Sequence, residues 1–275
     1  MTSTHLKRIA RGFVTALTFA VVILSAVTAR ADDAKAREIM RKVEERDDGD
    51  NRITNMEMIL IDKRGKERIR RIRTHRKDKD KDTLKLMFFL YPPDVKNVGF
   101  LTYDYDDPDR DNDQWLYLPA LKKSKRIAST DKSKSFMGSD FTYSDMTSRN
   151  LEDYDFEILK TQAVKDVETW IIEALPRDEK VIEETGYTKS LLFVRQDNYV
   201  VIRAVHFVKE GNRLKYMDVK KLELIDKIWM PTEIHMATKK GETTLHKTIL
   251  KHHDVKFNQN LDESFFTIRQ LEKGP

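Results

Sequence analysis

The feature that most constrains this fold is a two-residue alternation of apolar and polar side chains, repeated in short runs along most of the chain. In the first run, Met56, Met58 and Leu60 occupy every second position. This period places alternate side chains on opposite faces of a β-strand. The runs span residues 54–60, 67–76, 84–90, 98–105, 114–118, 155–160, 168–175, 188–195, 200–209, 213–224, 229–239 and 243–253. With turn residues between several of them, they predict a meandering antiparallel sheet of about ten or eleven strands that curls into an open or closed barrel.

Helical patterns are few. One amphipathic helix is predicted over residues 33–45, where Ile39, Met40 and Val43 share a face. Residues 122–149, rich in Ser, Lys, Asp and Gly, predict a loop with short helical pieces, and residues 262–266 a closing helix or turn. No linker divides the chain, so one mainly β domain over residues 32–275 is favoured over two.

The N-terminal 31 residues have the composition of a secretory signal peptide. Basic residues precede an apolar run from Phe13 to Val27, and Ala29 and Ala31 are the small residues that signal peptidase requires. The run is about 15 residues, shorter than the roughly 20 that span a bilayer. We therefore expect cleavage before Asp32 and a periplasmic protein; the alternative is a retained membrane anchor.

Charge and cysteine content exclude several function classes. Four basic and no acidic residues lie in the predicted signal, so the net charge falls from +5 for the whole chain to near +1 for residues 32–275. This near-neutral charge argues against nucleic acid as a partner. The absence of cysteine excludes disulfides, iron–sulfur clusters and a cysteine nucleophile. The domain must be held together by its core, for which 39% hydrophobic residues are sufficient.

A large sheet with one apolar face and little helix to cover it predicts one of two interiors. A curled sheet lined by Met, Phe, Leu and Trp suits an acyl chain, and methionines such as Met56 and Met58 repack around irregular partners. The same residues also suit a solid core, which is what apolar alternation normally indicates. The same ambiguity applies to Leu84, Trp170 and Ile172, because periodicity does not separate a filled barrel from a hollow one.

Two motifs in the middle of the chain resemble a known family. The first runs from Tyr91-Pro92-Pro93-Asp94 through Gly99-Phe100-Leu101-Thr102-Tyr103 to Gln114-Trp115-Leu116-Tyr117-Leu118-Pro119, and the second is Ser135-Phe136-Met137-Gly138-Ser139-Asp140-Phe141-Thr142-Tyr143. Together they resemble the outer-membrane lipoprotein-sorting protein family, the LolA-like group, and in particular a subgroup associated with RND-type (MMPL-like) exporters. The resemblance extends over most of residues 32–275.

The resemblance implies a periplasmic, half-open antiparallel β-barrel covered by helices, with an apolar cavity for lipid or lipoprotein acyl chains. Phe100, Tyr103, Trp115 and Tyr117 would lie near the cavity, and residues 136–143 would form the loop over its mouth. The complete set of predicted ligand-binding residues is Met56, Met58, Leu60, Leu84, Leu86, Phe88, Leu90, Phe100, Tyr103, Trp115, Tyr117, Phe136, Met137, Phe141, Tyr143, Trp170 and Ile172. Because the subgroup is divergent from the founding lipoprotein chaperone, the identity of the cargo does not follow from the fold.

The mouth loop and the basic run before it each allow two interpretations. Gly138 permits a tight turn that folds aromatic side chains inward or presents them to a partner; the loop could equally pack on its own sheet. The basic residues at 122–126 could contact an anionic headgroup or acidic partner, or be a solvated charge run.

Patterns that would indicate catalysis or metal binding are incomplete. Aspartates alternate from Asp107 to Asp113 as in a calcium loop, but Asn112 and Leu118 stand where an EF-hand requires Gly and Glu. His246 and His252 share a strand face, which provides at most two zinc ligands. Ser129 and Lys132 match Ser-x-x-Lys without the accompanying motifs of that enzyme class. No metal or cofactor is predicted.

The leading hypothesis from the sequence is a non-catalytic carrier that shields lipid or lipoprotein acyl chains between the inner and outer membranes. An inner-membrane RND-type exporter and an outer-membrane acceptor would be its partners. The first alternative is a LolA-like sensor of envelope lipid that regulates a membrane partner. The second is a hydrolase, for which Ser129 and His252 would be the residues to replace.

Overall fold

A computed structural model describes residues 32–275, in which thirteen strands form one antiparallel sheet. The predicted signal peptide lies outside the described residues. The first six strands are β1 (Asn51–Asp62), β2 (Glu67–Lys79), β3 (Asp82–Tyr91), β4 (Gly99–Asp104), β5 (Asp113–Leu118) and β6 (Lys123–Arg126). The other seven are β7 (Tyr154–Val164), β8 (Val167–Pro176), β9 (Tyr187–Arg195), β10 (Val201–Val208), β11 (Leu214–Ile225), β12 (Ile228–Lys240) and β13 (Thr243–Phe257).

The order of the strands shows how the chain covers its own sheet. The order is β6-β5-β4-β3-β2-β1-β13-β12-β11-β10-β9-β8-β7, so β6 and β7 are the two edges and the barrel is open. Residues 127–153 connect these edges and must therefore cross one face of the sheet; we call them the crossing segment. The predicted half-open antiparallel barrel is confirmed, with thirteen strands where the sequence predicted ten or eleven.

Three α-helices accompany the sheet. They are α1 (Ala34–Glu44), α2 (Glu179–Thr185) and α3 (Ile268–Lys273). The Asp33 carboxylate caps α1 by accepting from the Lys35 amide, and Ala36, Ile39 and Met40 are the buried face of the helix. None of the helices in residues 32–275 has the length and apolar character that crossing a membrane requires.

Strand alternation assigns every side chain to one of two faces. We call the face that carries Met56, Met58 and Leu60 the inner face; the crossing segment packs on it. The opposite, outer face carries Leu84, Leu86 and Phe88 on β3, which pack with Leu271 of α3. The β3 to β5 part of the sheet is thus covered on both sides, because apolar residues occupy both parities of these strands.

Gly99 allows α3 to lie close to the sheet. A Cβ atom at this position would stand 2.6 Å from Leu271 Cδ1 and 3.2 Å from the ring of Phe88. Glycine therefore lets the buried Leu271 side chain rest directly on the β4 backbone. The short helix covers the outer side of a cluster whose residues the sequence analysis predicted to line a cavity.

Candidate cavity site

Two clusters occupy different parts of the inner face. The filled half is the region of β1–β5 where Phe136 of the crossing segment is fully buried among residues such as Phe89 and Phe100. Its ring centroid lies 5.0 Å from that of Phe100 and 5.5 Å from that of Tyr143. Aromatic rings from the crossing segment therefore occupy the space above these strands.

The hollow half lies between α1 and strands β9–β12. A cavity of about 930 Å³ is present there, at the upper end of the range for small-molecule sites. Its apolar wall is formed by Met40, Val43, Phe141, Leu151, Leu192, Val201, Ala204, Met217 and Met236. Aliphatic and thioether side chains predominate, with one alanine where a larger side chain would project into the space. Such a wall accommodates a flexible apolar ligand without a fixed shape.

Carboxylates outnumber basic groups at the mouth of the cavity. Glu44 ends α1, Asp48 lies in the loop that follows, and Asp104 and Asp106 lie at and just beyond the end of β4. Arg46, Arg76 and Lys81 also line the mouth. Burial, together with the nearby carboxylates of Asp106, Glu45 and Asp104, raises the pKa of Glu44. A smaller cleft of about 190 Å³ adjoins the cavity and shares Glu44 and Asp104 with it.

A buried carboxylate fixes the crossing segment to β12 and β13. Asp140 accepts hydrogen bonds from the hydroxyls of Thr238 (2.5 Å) and Thr248 (2.7 Å), and its Oδ2 lies 2.7 Å from His246 Nδ1. The Asp140 amide in turn donates to the Thr248 hydroxyl at 2.9 Å. This set of bonds holds the loop against the sheet, next to Phe136 and Phe141.

A second polar cluster forms one wall of the hollow half. Tyr187 donates to Asp145 Oδ2 at 2.8 Å, and the Asp145 carboxylate lies 3.7 Å from the Arg149 guanidinium. Arg149 also donates to the Ser190 hydroxyl at 3.2 Å, and that oxygen is 2.8 Å from His206 Nδ1. Buried polar groups are thus paired with one another beside an apolar space.

Protonation in this cluster follows from its burial. Burial, reinforced by the Arg149 charge, lowers the pKa of His206 to about 3, so its imidazole is neutral at physiological pH. Burial alone would raise the pKa of Asp145, but the Arg149 and Lys215 charges and a hydrogen bond from the Thr142 amide lower it. Burial and the Asp145 carboxylate raise the pKa of Tyr187. The result is a carboxylate–guanidinium pair beside a neutral imidazole.

Comparison with known proteins identifies the family. A family model described only as an uncharacterized protein matches residues 81–273. A solved domain described as an outer membrane lipoprotein-sorting protein, from Vibrio parahaemolyticus, is 31% identical and has a TM-score of 0.78; the match covers 86% of this chain and 98% of that one. The chain belongs to the outer-membrane lipoprotein-sorting protein family.

Two further solved structures extend the comparison. A DUF1329 family protein from Desulfovibrio piger is 25% identical with a TM-score of 0.79, over 88% of this chain and 99% of that one. A LolA superfamily protein from Nitrosomonas europaea is 20% identical with a TM-score of 0.64, over 84% and 97%, and shows that the fold is shared. No curated protein matches the sequence.

Within this lipoprotein-sorting fold, the seventeen predicted ligand-binding residues fall into three clusters. Eight lie in the cluster of the filled half: Met56, Met58, Leu60, Phe100, Phe136, Met137, Phe141 and Tyr143. Two lie in the cluster beneath α1: Trp170 and Ile172. Seven lie in the cluster under α3: Leu84, Leu86, Phe88, Leu90, Tyr103, Trp115 and Tyr117.

The structure does not bring these three groups together around one space. Of the seventeen, Phe141 lines the cavity. The seven under α3 are on the outer face, so their side chains point away from it. The sequence patterns did not single out the small residue Ala204 or the methionines Met217 and Met236, although all three lie in predicted strands. Their positions in the two-residue alternation place them on one face of the sheet, and this was the available indication.

Three residues considered for catalysis or metal binding, Ser129, Lys132 and His246, have other partners. The Ser129 hydroxyl lies 3.5 Å from Asp111, and the Lys132 ammonium lies 3.5 Å from Glu184, so the two do not form a nucleophile–base pair. His246 is bonded to Asp140. Among residues 32–275 there is no group of three or more His, Asp or Glu side chains arranged to hold a metal ion.

Proposed function

We propose that this protein is a non-catalytic periplasmic carrier that holds lipid or lipoprotein acyl chains in the hollow half and passes them between the inner and outer membranes. The observation that carries the proposal is the cavity of about 930 Å³, one wall of which is formed by flexible apolar side chains beneath α1. A shared fold with a lipoprotein-sorting domain and a LolA superfamily protein supports it.

The mechanism we propose is physical. Each buried methylene contributes about 0.8 kcal/mol, so an acyl chain leaves a membrane only for a space of similar apolarity. Met217 and Met236 adapt to the chain, and the cavity mouth leaves its polar end in contact with water. Delivery then requires an acceptor of comparable or greater affinity, because a carrier that binds too tightly does not release.

We assign the lining of the ligand site to residues around the hollow half, and not to most of the residues that the sequence analysis predicted. We propose that Met40, Leu192, Ala204, Met217 and Met236 contact the acyl chain, with Phe141 at the boundary with the filled half. The filled-half residues and those under α3 would then act by supporting the fold. In particular, Phe88 and Trp115 lie under α3, so replacing either by Asp tests stability and not the cavity lining.

A non-enzymatic role is consistent with the chemistry of the cavity wall. Ser190 and His206 are in hydrogen-bond contact, but the pKa of His206 near 3 makes this imidazole a weak base at neutral pH. The Ser190 hydroxyl is also buried and accepts from Arg149. We interpret the pair as structural.

Blocking the hollow half tests the proposal directly. Ala204→Trp places a large side chain in the cavity, whereas Val205→Trp, the next residue of β10, directs the same side chain to the outer face. We expect Ala204→Trp to reduce retained lipid, measured by mass spectrometry of protein purified from its native envelope, at least about 10-fold, with Val205→Trp unchanged. Equal lipid in both folded variants would contradict the proposal.

Transfer distinguishes a carrier from the alternative sensor. A carrier moves labelled lipid or lipoprotein from inner-membrane to outer-membrane vesicles at a rate that Ala204→Trp reduces. Retention without any transfer would indicate a lipid sensor. We further propose that an RND-type exporter loads the protein and an outer-membrane acceptor unloads it. Cross-linking in the native envelope would identify these partners, and a carrier that cross-links to neither would contradict this extension.

We also propose that residues 1–31 are a cleaved export signal and residues 32–275 the working domain. The measurement is the mass and N-terminal sequence of the protein from the periplasmic fraction. The expected N-terminus is Asp32; an intact Met1 in a membrane fraction would indicate a retained anchor.

A further inference from the structure

The outer face of the sheet from β9 through β13 to β2 is a broad surface that the described helices leave uncovered. Within residues 32–275, α1 packs on β7, α2 lies beside β8 and β9, and α3 packs on β4, β5 and β6. The crossing segment and α1 are on the inner side. The remaining outer surface is therefore available to a partner.

This surface carries apolar side chains on several of its strands. Ile249 of β13, Ile59 of β1 and Ile69 of β2 are directly opposite one another in register and form a row across three strands. Ile69 is 39% exposed and Ile249 is half-buried, whereas Ile59 between them is 8% exposed. On β9 and β10, Phe193 and Phe207 have the parity opposite to the inward-facing Leu192 and His206. Aliphatic and aromatic side chains thus recur across the surface.

Basic side chains cover the aromatic rings of this face. The Arg203 guanidinium lies 5.6 Å from the centre of the Phe193 ring, and the Lys189 ammonium lies 4.6 Å from that of Phe207. Lys239 is placed in the same way over Tyr216 at 5.3 Å. Such pairs keep a positive charge at the level of the ring faces.

Further basic residues flank the isoleucine row. Lys247 and Lys251 lie two positions on either side of Ile249 along β13, and Arg71 follows Ile69 at the same spacing on β2. Acidic residues on the face are fewer. Asp218 accepts a hydrogen bond from Arg203 at 2.8 Å, and Glu173 pairs with Lys189 at 3.0 Å. Glu57 and Glu233 are opposite Lys251 in register. The face therefore presents a positive, partly apolar surface, in contrast to the mouth of the cavity, where carboxylates outnumber basic groups.

We propose that this outer face docks on the surface of a bilayer that contains anionic phospholipid. Lysine and arginine would contact the phosphate groups. Ile69, Ile249 and the half-buried aromatic side chains would contact the interfacial layer. The inference does not depend on the identity of the cargo.

Charge reversal tests the docking surface. The parent protein is mixed with sedimentable vesicles containing 30% phosphatidylglycerol, and separately with vesicles of phosphatidylcholine alone. The test variant carries Lys239→Glu, Lys247→Glu and Lys251→Glu. The matched control carries Lys35→Glu, Lys160→Glu and Lys165→Glu, an identical charge change at exposed positions outside this face. Circular dichroism and urea unfolding verify that both variants fold.

We expect the parent to bind the anionic vesicles and to be released by added salt. The outer-face variant should bind at least about 100-fold more weakly, given the contribution of each lysine near such a surface, and the control should bind nearly as the parent does. A variant with the three lysines replaced by Gln provides a second test if the Glu variant unfolds.

Three outcomes would overturn the inference: failure of the parent to bind anionic vesicles, equal binding to both vesicle types, or equal loss in the control variant. Capture of an acidic membrane protein by the same face, without vesicle binding, would also overturn it. Lipid retention by the outer-face variant separates this result from failure of the carrier proposal, because the cavity is unchanged.

Discussion

The filled and hollow halves of the inner face arise from the same alternating pattern but contain different interiors. Above β1–β5, the crossing segment inserts Phe136 and Tyr143, and the space is occupied. Beside β9–β12, the covering residues are the smaller side chains of α1, and a cavity remains next to Ala204. The comparison shows that the bulk of the covering side chains, and not strand periodicity, decides whether such a sheet forms a core or a binding site.

The two halves share one boundary, at Phe141. Asp140 precedes it and is anchored by Thr238 and Thr248, so the ring is held between the occupied and empty regions. If this contrast is correct, substitutions with the same chemistry should have different effects in the two halves.

The largest difference is expected for aromatic truncation. Phe136→Ala removes a fully buried ring and should lower the free energy of unfolding by about 3–5 kcal/mol. Phe141→Ala should cost clearly less, because part of that ring already borders empty space. Urea denaturation of both variants measures their free energies of unfolding. A larger cost for Phe141→Ala would contradict the assignment of the boundary.

Loss of the anchor between the halves should have the next largest effect. Asp140→Ala leaves the Thr238 and Thr248 hydroxyls without their acceptor, and we expect a loss of about 2–4 kcal/mol in unfolding free energy. The exposed Asp94→Ala provides the control and should change stability by less than about 0.5 kcal/mol. Similar values for the two variants would show that the buried bonds do not secure the crossing segment.

The polar wall of the hollow half predicts a pH dependence. His206, with a pKa of about 3 when folded, stays neutral, whereas in the unfolded chain it gains a proton below about pH 6.5. Stability is therefore complete above pH 6.5 and declines as the pH falls towards 3. Between pH 6.5 and 5 this single group should account for about 2 kcal/mol. His206→Gln should remove that part of the slope. An unchanged slope in His206→Gln would contradict the burial of a neutral imidazole.

The smallest difference separates two alanines on the inner face. Both are buried in the cluster beneath α1, but of the two Ala204 also lines the cavity. Ala204→Leu should therefore change stability by less than about 1 kcal/mol, whereas Ala174→Leu should cost about 1–3 kcal/mol. Thermal unfolding under identical conditions compares them. Equal costs would indicate that Ala204 does not border open space.

The sequence predicted the sheet well because the strands carry their own alternation. The predicted runs correspond to strands β1–β5 and β7–β13. Strand β6 was missed because Lys123-Ser124-Lys125-Arg126 has no apolar residue; it is a strand through its backbone pairing with β5. Helices α2 and α3 are short, of seven and six residues, and their periodic signal is correspondingly weak.

The location of the site was less predictable. Alternation separates Phe88 from Phe89 but does not say which face α3 will cover, because that depends on residues far apart in the chain. The opposite parities of these two phenylalanines, both apolar, were the available sign that this strand is buried on both sides. A cavity exists where no side chain fills the space between packed elements. The small side chain of Ala204 therefore indicates a cavity only when the position of α1 is known.

The central claim is that an acyl chain occupies the hollow half. The most direct measurement is photocross-linking of the protein with a fatty acid carrying a diazirine at the end of its chain, followed by peptide mapping. We expect labels on Met217, Met236 or Leu192, and we expect these labels to be lost in Ala204→Trp. Labels confined to Met56, Met58 or the residues under α3 would contradict it, as would no labelling at all.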